Sequence, residues 1–87
     1  MKRKIETGQV YKYNDKNSIY DGEYFLLSQV GCLMISLVGL FDGNRYDVPI
    51  LLKNAGCITK HELHKITNGT FRYSAKMTKK LKGLING

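Results

Sequence analysis

Eighty-seven residues, 43% of them hydrophobic and including six tyrosines and three phenylalanines, suffice for one small folded domain and exclude global disorder. Two cysteines fall short of the disulfide-dense pattern of small secreted domains, so a reducing, cytoplasmic setting is expected. Fourteen Lys and Arg against seven Asp and Glu give a formal net charge of +7, which favours an anionic partner.

That charge is unevenly placed. All seven acidic residues lie between Glu6 and Glu62, whereas eight basic ones sit in two terminal stretches, three in Met1–Ile5 and five in Phe71–Gly87. The body is near neutral and the excess belongs to the ends. The pattern divides the chain into a basic arm (residues 1–5), a compact domain (6–74) and a basic tail or short amphipathic helix (75–87). No cleavable leader is expected ahead of the domain.

In chain order, Gln9–Tyr13 alternates polar with apolar residues and reads as a first strand opened by Gly8. Asn14–Gly22 is a polar loop. From Tyr24 to Phe41 there are eighteen residues without a charge, the minimum for a membrane-spanning helix. Ser28, Gln29 and Ser36 dilute that run, Gly31 and Gly39 interrupt it, and Asp21-Gly22 and Asp42-Gly43-Asn44 bracket it with turns. It is therefore read as a hairpin of two strands, Glu23–Val30 and Cys32–Phe41, and no membrane partner is expected. The second of these strands is apolar on both faces, with Leu33, Ile35, Leu37 and Phe41 on one and Met34, Val38 and Leu40 on the other. The second face needs cover from a helix, the C-terminal segment or another subunit, so a homo-oligomer is expected.

Arg45–Leu51 reads as a fourth strand, which Pro49 places at an edge or a bulge because it lacks an amide donor. Thr59-Lys60-His61-Glu62 is a capping box, with Glu62 expected to reach back to the Thr59 amide. It opens a short helix over Lys60–Ile66 that buries Leu63 and Ile66 and ends at the left-handed stop Asn68-Gly69. Thr70–Ser74 returns as a fifth strand. Beyond it Met77, Leu81 and Leu84 fall at helical spacing among Lys76, Lys79, Lys80 and Lys82, a basic segment whose deletion is expected to leave the barrel standing.

Four strands, a short helix and a final strand give a mainly β fold, a small five-stranded SH3-like barrel. The runs Gly8–Tyr11, Asp21–Val30, Leu37–Tyr46 and Ile58–Thr67 resemble those of small SH3-like β-barrel proteins carried by bacteriophages and mobile elements. The resemblance covers about residues 8 to 74, and its motifs are barrel punctuation rather than chemistry. It implies a role in host takeover or defence evasion, through binding rather than catalysis.

Tyr11-Lys12-Tyr13 and Phe71-Arg72-Tyr73 share one pattern, two aromatics on one face of a strand and a basic residue on the other. With the first and last strands side by side, the four aromatics gather on one face and Lys12 with Arg72 on the other. As a binding surface, Lys12 and Arg72 meet phosphates beside Tyr13 and Tyr73, while Lys76, Lys79 and Lys80 add charge from the tail. As structure, the aromatics are core, which a domain this small needs, and the bases are solvated. Arg45 and Tyr46 complete the candidate set, as the lining of a cleft between subunits that traps a nucleotide.

Cys57, His61 and His64 give C-x3-H-x2-H, with Cys32 as a fourth ligand, but the spacing matches no common zinc site and no metal or other cofactor is expected. Nothing in sequence converges on a nucleophile, a base and an orienting group. Ribonuclease toxins of the Kid and MazF type begin with a similar Gly-x-Val-Tyr strand, yet this chain is shorter and lacks the Arg-Pro segment expected after it. The sequence therefore reads as a non-catalytic protein binding a nucleic acid or nucleotide. The alternatives are an inhibitor that caps a host protein and an oligomeric sponge for a nucleotide signal.

Overall fold

The computed structural model describes residues 5–31, 33–49 and 58–86. The basic arm at residues 1–4, the expected end of the fourth strand at residues 50 and 51, and both cysteines lie outside the described residues. Within them run β1 (Val10–Tyr13), β2 (Tyr24–Val30), β3 (Met34–Gly39), β4 (Arg45–Pro49), α1 (Lys60–Ile66), β5 (Phe71–Tyr73) and α2 (Ala75–Asn86). Tyr24–Phe41 is thus two antiparallel strands, and no helix among the described residues is long and apolar enough to cross a membrane.

All five strands pair antiparallel in the order β4-β3-β2-β1-β5. β4 and β5 stand at opposite ends of that order, yet the rings of Tyr46 and Phe71 are 5.0 Å apart. The sheet must therefore curl, and since no ladder joins β4 to β5 it forms a half-barrel. Pro49 sits on the edge strand, where its missing donor costs no ladder bond. Ser28 is the extra residue where the β2–β3 register shifts between Leu27 and Gln29, and its hydroxyl donates to the Ser36 carbonyl at 3.1 Å.

The concave face is closed by aromatic rings. Tyr13, only 7% exposed, has the rings of Phe71, Phe25, Tyr46 and Tyr20 at 5.2, 5.6, 6.0 and 6.3 Å. Such pairs contribute about 0.5–1.5 kcal/mol each beyond the area they bury. Leu27, Ile35, Leu37 and Leu63 complete the fully buried layer, so the structural reading of the aromatics is the one the fold adopts. Ile5, assigned by sequence to the basic arm, belongs to this core and donates its amide to the Ile58 carbonyl at 3.0 Å. Tyr11 is fully buried and its hydroxyl donates to Gln9 Oε1 at 3.0 Å; burial, with a smaller contribution from Tyr73, raises its pKa well above the usual tyrosine range.

α1 has the expected bounds and packs against β5 through its contacts with that strand. The Glu62 amide donates to Thr59 Oγ1 at 3.2 Å, but the return contact differs from expectation: the Thr59 hydroxyl donates to Glu62 Oε1, side chain to side chain. Leu63 is buried, whereas Ile66, the last residue of the helix and part of the lining of a surface cleft, is 45% exposed. Asn68 and Gly69 both take left-handed backbone (φ 54° and 81°), which stops the helix and returns the chain into β5.

The C-terminal segment is a docked helix and not a free tail. Val10 lies on the opposite face of β1 from Tyr11, outside the aromatic core, and is nonetheless fully buried. α2 packs on β1 and covers it. The Val10 amide donates to Thr78 Oγ1 at 2.8 Å, the Thr78 hydroxyl donates to the Ser74 carbonyl at 2.7 Å, and the Ser74 amide donates back to the Val10 carbonyl at 2.9 Å. Removing the segment would strip Val10 of its cover and of the acceptor for its amide. Thr78→Val, which keeps the shape and deletes the acceptor, is expected to cost about 1–3 kcal/mol. At about 4–8 °C per kcal/mol, that is a clear loss in a thermal melt, while Thr78→Ser keeps most of the stability.

Candidate functional site

The register of β1 with β5 is Tyr11 opposite Tyr73, Lys12 opposite Arg72 and Tyr13 opposite Phe71. Alternation along each strand then sends the four rings inward and Lys12 and Arg72 outward, both exposed. Asn14 donates to Thr70 and Ser74 to Val10, so by parity Lys12 and Arg72 form a hydrogen-bonded pair, about 5.5 Å between Cα atoms. Two like charges directly opposite each other oppose folding. On the other side Lys12 faces Tyr24, and the Leu40 amide donates to the Tyr24 carbonyl at 3.0 Å. One row across β5, β1, β2 and the residue that follows β3 therefore reads Arg72, Lys12, Tyr24, Leu40.

α2 leaves β5 after Ser74 and adds Lys76, Lys79, Lys80 and Lys82, all exposed, with no acidic residue in its first turn. Lys76, in the first turn of α2, works against the macrodipole and so stands where it does not aid the fold. The one ion pair among the described residues lies elsewhere, between Arg45 and Asp47.

Of the expected binding residues, the structure brings Lys12 and Arg72 together and sets Lys76, Lys79 and Lys80 on the adjoining helix. Tyr13 is corrected: enclosed by four rings, it has no face left for a ligand. Tyr73 is half-buried, edge-on to Tyr11, with Lys60 Nζ 3.9 Å from its ring centre. Arg45 and Tyr46 are neighbours on β4 and point to opposite faces. Tyr46 turns inward onto Phe71. Arg45 is committed to Asp47 Oδ1 at 2.8 Å and to Ser36 Oγ at 3.2 Å, while the Ser36 hydroxyl donates to the same Asp47 oxygen. The hydrogen bond from Arg45, then that from Ser36, holds the Asp47 carboxyl below the usual range.

Among the described residues, clefts open on the surface in at least two places. One, of about 290 Å³, is the unclosed gap of the half-barrel, between Tyr46–Pro49 and the turn from Ile66 to Thr70, and is largely polar. Another, of about 340 Å³, is lined by Tyr24, Leu40, Phe41 and Met77 with Glu23, and is apolar apart from that carboxylate. Phe41 stands 87% exposed at its rim, in the β3–β4 turn that Gly43 (φ 75°) allows. Sequence reasoning placed Tyr24, Leu40 and Phe41 in a buried hairpin and Met77 in a basic tail or short amphipathic helix, and missed this cleft. The signal for Phe41 was its place directly before Asp42-Gly43, since a ring inside a turn has little to pack against. Among the described residues, no three His, Cys, Asp or Glu gather as metal ligands would.

No protein-family model matches this chain, and comparison with curated proteins and with solved structures returns no match. The site is therefore read from its own chemistry.

The lowered Asp47 pKa fixes a sign. A carboxyl with a depressed native pKa stabilises the fold above its unfolded value, and that contribution is lost as pH falls through the native one. Asp47→Asn is expected to melt below the parent at neutral pH, with the gap closing as the pH is lowered through and below the ordinary carboxylate range. Melting both proteins across that pH series checks it.

Proposed function

We propose that this protein is a non-catalytic binding module for a polyanion, a nucleic acid or a nucleotide-type ligand, held on the outer face of the sheet. The observation that carries the reading is the Lys12–Arg72 pair, two exposed like charges set opposite each other with no acidic partner among the described residues. An arrangement that opposes folding is relieved when an anion bridges it. The lysines of α2 extend the same field, and phosphates released from their counterions supply the driving force.

In this reading the half-barrel is an SH3-like scaffold of the kind carried by phages and mobile elements, and it works by occupancy. Ser36 is the buried hydroxyl on a carboxylate that a catalytic reading would choose, but Arg45 neutralises Asp47 and weakens it as a base.

Fluorescence anisotropy against RNA, single- and double-stranded DNA and nucleotides at low salt tests the proposal, and a blank across that panel defeats it. Arg72→Glu gives the sharper outcome, because it turns a repulsive cross-strand pair into an attractive one. Stability is expected to rise by roughly 0.2–1 kcal/mol while affinity falls. The salt dependence for a single strand is expected to flatten by about 0.7 per lost phosphate contact. Unchanged affinity in Arg72→Glu would show that the pair does not meet the ligand.

A further inference from the structure

The apolar cleft lies in the same row as the paired cations. Tyr24, one of its walls, is the cross-strand neighbour of Lys12, about 4.8 Å away across the ladder. Met77, another wall, has Lys80 three residues on, on the same side of α2. Positive charge thus flanks the cleft on two sides, while Glu23 contributes a negative group to its wall.

We infer that this cleft receives one unpaired base of a single-stranded nucleic acid, stacked on Phe41 and Tyr24, with the adjoining phosphate on Lys12. The inference rests on the polyanion reading above and deepens it from charge to strand state. The flanking cations require an occupant that carries negative charge beside a flat apolar body. A nucleotide has that form. Glu23 repels the phosphate, so the base enters and the phosphate stays outside with Lys12 and Arg72. Phe41 supplies a ring 87% exposed among the described residues, and stacking on such a face tolerates every base. A base within a duplex has both faces covered by its neighbours, so duplexes meet only the cations. The volume of about 340 Å³ is at the lower end of small-ligand sites and suits one such group.

The test is fluorescence anisotropy at low salt with three labelled probes of equal length: an oligothymidylate of about twelve nucleotides, an abasic strand and a duplex. Light scattering is run in parallel on the parent and on Phe41→Ala, a substitution at an exposed turn position that leaves the core intact. The base-bearing strand is expected to bind roughly five- to a hundredfold more tightly than the abasic strand, and Phe41→Ala to remove that margin while leaving abasic affinity unchanged. Equal binding of the two strands by the parent, or a margin that survives Phe41→Ala, overturns the inference while the polyanion reading stands. Failure of every probe overturns both. If Phe41→Ala breaks a dimer and leaves oligonucleotide affinity untouched, the cleft belongs to a second copy of the chain and the inference falls.

Discussion

The pairing of β1 with β5 is the constraint on which the rest of the structure depends. β1 has four residues and lies between β2 and β5, so its register decides what every neighbouring strand presents to each face. A slip of one residue would carry Tyr13 and Phe71 to the outside and bring Lys12 and Arg72 into the core. Burying two unpaired cations costs far more than the pairing contributes, so the register is strongly determined. The aromatic core and the basic row are therefore two sides of one choice. Neither can be altered by moving the backbone without destroying the other.

A half-barrel leaves two strand edges, and each is guarded differently. β4 carries Pro49 and the Arg45–Asp47 pair, both unfavourable to a further strand. β5 has only three residues and is covered by α1, whose Leu63 is buried. The remaining weak point is the outer face of β1 and β2, where Val10 and Leu26 pair across the ladder. α2 seals Val10 there, with Thr78 giving the hydrogen bond that fixes its position. The helix that brings half of the described lysines to the surface is thus also the helix that completes the packing, so charge and stability are joined in one element.

Much of this was legible in the chain. The twin triplets Tyr11-Lys12-Tyr13 and Phe71-Arg72-Tyr73 announced the β1–β5 pairing and its two faces, because period-2 alternation needs no tertiary knowledge. Thr59-x-x-Glu62 and Asn68-Gly69 bounded α1, since capping and left-handed stops are local chemistry. What escaped was long-range or side-chain specific. The bond from the Val10 amide to Thr78 spans 68 positions and leaves no mark in either neighbourhood, so the sequence left the last segment open between a basic tail and a short amphipathic helix and gave no sign that it docks. The grip of Asp47 and Ser36 on Arg45 joins two strands and looked, in sequence, like a free cation. The apolar cleft draws on β2, the β3–β4 turn and α2, and apolar residues in a hydrophobic run read as core until the fold shows which of them lack neighbours.

The distance along the chain between the paired triplets also shapes how the molecule is made. Lys12 and Arg72 are 60 positions apart, and closing a loop of that length costs about 3–4 kcal/mol in chain entropy beyond a constant. At a synthesis rate of roughly 5–20 residues per second, β1 waits about 3–12 s beside β2 before β5 emerges to flank it. Throughout that interval its outer edge is open, with the amides and carbonyls that will later meet Arg72 and Thr78 unsatisfied. The sheet is slow to finish because β1 is the first strand made and the last completed. Lys12, projecting from the centre of that open edge, is then the charge that keeps an unfinished sheet from pairing with its neighbours.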